Sequence, residues 1–80
     1  MIKCFGYIKN DAESSLSEFS EVTFQSNANN LRLLASFLSK CADEIDNNPN
    51  WEHEHFKDSL PFDEAQAEII VYKASLNFKI

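Results

Sequence analysis

Apolar residues recur at three- and four-residue spacing through "SNANNLRLLASFLSKCADEIDNNPN", where Leu31, Leu34, Ala35, Leu38, Cys41, Ala42 and Ile45 fall on one helical stripe. This pattern predicts a helix over about 27–46 with that stripe turned to the core, and Leu33 and Phe37 widening the buried surface from a neighbouring row. Ser26 or Asn27 can accept the first free backbone N–H groups as N-cap. The run stops at "DNNPN", because Pro49 disfavours helical geometry in the residue before it.

On either side of this helix the apolar period changes from 3.6 to 2. "IKCFGYIK" predicts a strand over about 2–9, with Ile2, Cys4, Gly6 and Ile8 on one face and Lys3, Phe5, Tyr7 and Lys9 on the other. After the polar "NDAESS" a second strand is expected over about 18–26, its face set by Val22 and Phe24. Phe19 is out of phase with that pair and calls for a bulge or a displaced strand start. Beyond the helix, "WEHEHF" predicts a strand over 51–56. "KDSLPFDEAQ" follows as a connection holding Pro61, and "AEIIVYKASLNFKI" predicts a strand over about 68–79.

The order β-β-α-β-β implies an α+β fold: a two-layer sandwich in which a small, mostly antiparallel sheet is covered on one face by the single helix. Eighty residues make one domain, 1–80, because separate domains rarely fall below about 50 residues. A chain this short buries only about 60–65% of the surface it exposes when unfolded, so a partner or a second copy would add needed stability. One helix covers one side of a sheet. Phe5, Tyr7 and the two-sided run Ile69 to Tyr72 therefore leave apolar groups for a docking or dimer surface, including pairing through an edge strand ending at Ile80.

Charge is segregated. Nine acidic residues (Asp43, Glu44, Asp46, Glu52, Glu54, Asp58, Asp63, Glu64, Glu68) face a single basic one, Lys57, between positions 43 and 68, a balance of −8 within a chain of net −6. A surface of this kind repels phosphate backbones and attracts basic proteins, so the expected partner is a basic protein and direct nucleic-acid binding is not expected. No apolar run is long enough to span a bilayer, and "MIKCFGYIKN" lacks the pattern of a signal peptide; the expectation is a cytoplasmic protein without a membrane partner. In a reducing compartment Cys4 and Cys41, both inside apolar patterns, are expected as small buried side chains without a bridge.

"WEHEHF" carries the only arrangement suggestive of chemistry. On a strand His53 and His55 share a face about 7 Å apart, a spacing compatible with metal ligation. A zinc site needs a third protein ligand, and Glu52 and Glu54 point the other way on a regular strand, so no metal or cofactor is favoured and His53 with His55 stays the alternative metal-binding reading. One glycine, Gly6, leaves no phosphate-cradling loop and no nucleophile elbow, and the chain is expected to be non-catalytic. The bland account of the segment is a strand with Trp51 or Phe56 packed inward and its charges solvated. The docking account makes Trp51, Glu52, His53, Glu54, His55, Phe56, Asp58, Asp63 and Glu64 a partner-binding surface, with Trp51 and Tyr72 as aromatic anchors. Protonation of the histidines in mildly acidic solution would then erode its negative charge.

Taken together, "LRLLASFLSKCADEI", "EHEHF" and "AEIIVY" resemble the short bacterial immunity proteins of polymorphic toxin systems, in which a strand pair leads into a helix of Leu-x-x-Leu-Ala-x-Phe-Leu rhythm, a His-Glu-His-Phe-like element and a short apolar strand. The resemblance covers roughly Glu21 to Tyr72; "NANN" at the helix start and the tail "KASLNFKI" depart from it. It implies a protein that neutralises a cognate toxin, often a nuclease, by binding it, with His53, Glu54, His55 and Phe56 as contact or structural residues. A metal-binding module and a homodimeric interaction module without a toxin partner remain the alternatives.

Overall fold

The computed structural model describes residues 1–61 and 63–74. The fold is α+β; the described residues form four short strands and one helix in the order β1 (Cys4–Gly6), β2 (Ser17–Phe19), α1 (Ala28–Asn47), β3 (His53–His55) and β4 (Ile70–Tyr72), and a 3₁₀ turn over Phe56–Ser59. The β-β-α-β-β order expected from the sequence is the observed one. The sheet differs from expectation in one respect: the strands form two separate antiparallel ladders, β1 with β2 and β3 with β4, where one continuous sheet is expected.

Each strand is shorter than its sequence pattern, and for β1 the reason is local. Asn10 adopts a left-handed conformation (φ 61°), the Asp11 side chain accepts from the Glu13 N–H at 3.0 Å, and the Ile8 N–H donates to the Ser14 hydroxyl at 2.9 Å. Those groups turn the chain at "NDAESS" and take the donors a longer ladder would use. β2 lies earlier than the Val22/Phe24 face suggested, leaving both of those side chains exposed. Phe19, out of phase by the sequence pattern, instead stands opposite Cys4 and lays its ring over Gly6, where an added Cβ would come within 2.7 Å of the ring. The part of the expected fourth strand from residue 75 onward, and pairing through an edge ending at Ile80, lie outside the described residues.

α1 starts as its cap requires: the Asn27 side chain accepts from the Asn30 N–H at 2.8 Å, and the helix ends with the Asn48 N–H on the Glu44 carbonyl at 2.8 Å. Its buried stripe is turned from the expected one. Leu34, Phe37 and Cys41 are buried, at 8%, 4% and 1% exposure, while Leu31, Leu38 and Ile45 remain exposed. The helix is rotated toward Phe37 because its core partner is the bulky Phe56, whose ring meets that of Phe37 at 5.0 Å and 42°. Trp51, Leu60, Ile69 and Val71 pack around this centre, so the core joins α1 to the β3–β4 ladder and the 3₁₀ turn. Both cysteines are free, Cys41 in the core and Cys4 half-buried in β1.

Candidate functional site

The β3–β4 ladder sorts "WEHEHF" onto two faces. Its register sets His53 against Tyr72, Glu54 against Val71 and His55 against Ile70. Two flanking backbone bonds lengthen it, Phe56 N–H to the Ile69 carbonyl at 2.8 Å and Lys73 N–H to the Glu52 carbonyl at 2.9 Å. Side chains alternate across a strand, so Glu54 and Val71 turn toward α1 while His53, His55, Ile70 and Tyr72 share the outer face.

On the inner side, Glu54 accepts from the Lys40 ammonium of α1 at 2.8 Å and from the Trp51 indole N–H at 3.4 Å. The Lys40 hydrogen bond holds the Glu54 carboxyl below its usual range, and the same contact raises the lysine. Burial raises the Cys41 thiol, which sits on the neighbouring turn position.

The outer face is aromatic and open. His53 stacks on Tyr72, with ring centroids 4.7 Å apart at 14°, and meets His55 edge-on at 5.4 Å. The His55 Nδ1 lies 3.3 Å from Glu68 Oε2. Partial burial pushes the Glu68 carboxyl up, but donation from the Lys57 N–H, from His55 and from the Ile69 N–H outweighs it and leaves the group below its usual range.

The nine residues of the expected docking surface therefore divide. Phe56 is a core residue at 4% exposure, its ring packed over that of Phe37, which fits the structural one of the two roles expected for it. Trp51 is half-buried, one side packed against the same core. Glu54 is a tie to the helix. His53 and His55 lie on the outer face, and Glu52, Asp58, Asp63 and Glu64 are exposed. Asp63 also caps its own turn, its carboxylate accepting from the Ala65 N–H at 2.9 Å. Tyr72 and Ile70, both exposed, complete the outer face; the cross-strand register that brings them there is not readable from "EHEHF" alone.

Among the described residues, no group of three His, Cys, Asp or Glu could hold a metal ion. No described helix is long and apolar enough to cross a membrane. Two concavities among the described residues each have a volume of about 220 Å³, one lined by Lys57, Asp58, Leu60, Pro61, Asp63 and Gln66 and the other between α1 and the 3₁₀ turn. No family model, no curated protein and no solved structure matches the chain.

Proposed function

We propose that this chain is a non-catalytic interaction domain that binds and neutralises a basic toxin, and that a nuclease is the class of toxin its charge suits. The observation that carries the reading is the uncompensated acid of the 43–68 segment. Seven of its nine carboxylates are exposed; among the described residues Glu54 pairs with Lys40 and Glu68 is hydrogen-bonded to His55. Like charges kept this dense without counterions disfavour the isolated fold and favour a cationic partner, whose approach they also steer. The stacked pair His53 and Tyr72 supplies aromatic area beside that acid, the side-chain chemistry enriched at the centres of protein interfaces. The resemblance to short immunity proteins of polymorphic toxin systems points the same way.

The test is co-expression with a toxin encoded by a neighbouring gene; a neighbourhood without one would count against the reading. Wild-type protein should restore growth, and Glu52→Lys with Asp58→Lys and Asp63→Lys should abolish rescue while helix content by circular dichroism is unchanged. Full protection by that folded triple variant would overturn the acidic interface.

A further inference from the structure

The outer side of α1 carries a seam that the described residues leave partly exposed. Ala28, Leu31, Ala35, Leu38, Ala42 and Ile45 follow one another at alternating three- and four-residue steps, the repeat that keeps a line of side chains facing a second helix. All six are exposed, Leu31 by 42%, Leu38 by 44% and Ile45 by 37%. At 3.6 residues per turn this line lies roughly 90° around the helix from Leu34, Phe37 and Cys41. It is therefore distinct from the core stripe and only partly covered by the described residues.

Its composition and charge select an occupant. Alanine at every seventh position alternates with leucine or isoleucine, so two such lines can approach closely and interdigitate, small against large. Along the edge away from the core stand Arg32, Ser39 and Asp46, with opposite charges at the two ends, and neither Arg32 nor Asp46 is in an ion pair among the described residues. A two-fold axis near Leu38 sets Leu31 of one copy against Ile45 of the other and brings each Arg32 beside the other copy's Asp46, twice. Parallel pairing would put this edge of the two helices on opposite sides of the contact, where neither Arg32 nor Asp46 meets the other copy's opposite charge. We propose that α1 is a self-association surface, on which a second copy of this chain docks antiparallel through Leu31, Leu38 and Ile45, with reciprocal Arg32–Asp46 pairs at the rim.

The benefit to the fold is physical. Only Leu34, Phe37, Cys41 and Phe56 are buried among the described residues, and a helix contact adds apolar burial that so small a core lacks. A seam of 18 residues is about 27 Å long, which places the contact at the small end of stable interfaces and predicts a reversible, concentration-dependent dimer.

Sedimentation velocity and equilibrium of the full chain, from low micromolar to submillimolar concentration, test this. The expected result is a shift from 9.2 kDa toward twice that mass. Leu38→Lys should hold the chain at monomer mass with unchanged helix content. Arg32→Asp and Asp46→Arg should each weaken association by about tenfold, since each turns two exposed attractions into repulsions. The double variant Arg32→Asp with Asp46→Arg should restore it. A wild-type chain monomeric throughout the range overturns the proposal. So does a dimer indifferent to Leu38→Lys, and so does a dimer that neither charge variant weakens, which would be parallel or built on another face. The toxin-rescue assay is read separately, so failure of either proposal leaves the other standing. Loss of rescue by Leu38→Lys in a chain that never dimerises would mean that the toxin, and not a second copy, covers α1.

Discussion

Lys40 of α1 donates to Glu54 of β3 across 2.8 Å, and this one contact decides what the middle of "EHEH" is for. Strand alternation turns Glu54 toward the helix and the two flanking histidines to the opposite face, and the contact makes a run that looks uniform in sequence half structural tie and half exposed surface. The lysine end is largely solvated, which limits what the pair contributes. A double-mutant cycle with Lys40→Met and Glu54→Gln, read by urea denaturation, should give a coupling far smaller than the cost of Phe56→Ala.

The aromatic pair beneath it is worth more. Phe56→Ala removes the ring packed on Phe37 in a core of very few side chains, and a cost of about 3–5 kcal/mol is expected. For a domain of this size that approaches the whole stability. The variant should lose its cooperative thermal transition, whereas Phe24→Ala, at an exposed position, should shift the melting temperature little.

The pH dependence follows from the same residues. Glu54 and Glu68 are held below the ordinary glutamate value of 4.5, so what they contribute is present above that value and is lost as pH falls through their lower folded-state values. Lys40 is raised above 10.5, so its contribution is present below 10.5 and is lost as pH rises through the folded-state value. Urea midpoints measured across both windows should fall at each end. Glu68→Gln should flatten the acid edge alone, and Glu54→Gln should flatten both.

Thiol chemistry should report the core directly. Cys41 is at 1% exposure with its thiol raised by burial, while Cys4 lies half-buried on β1. With an aromatic disulfide reagent at mildly alkaline pH, one thiol should react in the native protein and the second only on unfolding. Equal fast reaction of both would show that the Phe37–Phe56 centre opens readily.

His53 and His55 lie edge-on at 5.4 Å with His53 already stacked on Tyr72. Calorimetric titration with Zn²⁺ should show no binding tighter than tens of micromolar, because two imidazoles without a third protein ligand leave a tetrahedral ion mostly to water. Submicromolar binding abolished by His55→Ala would restore the metal-binding alternative.

Much of this architecture follows from the chain alone, and the reason is periodicity. The 3-4 spacing from Leu31 to Ile45, Asn27 as cap and Pro49 beyond the end define α1 to within about one residue, since backbone hydrogen bonding and capping are local. The two-residue period sets His53 and His55 on one face and Glu54 on the other, whatever the strand pairs with. What periodicity cannot supply is which apolar face wins. Leu31, Leu38 and Ile45 fit the expected core stripe as well as Leu34 and Cys41 do, yet only the latter two are buried, because the helix turns to receive Phe56 from beyond Pro49. The same holds for the aromatic pair at the site. Tyr72 meets His53 through the β3–β4 register, and Trp51 is drawn inward by Glu54 and the core. Local pattern set the elements and the alternation of their faces; long-range packing chose which faces are inside and which side chains meet, because that choice depends on the shapes of residues far apart in the chain.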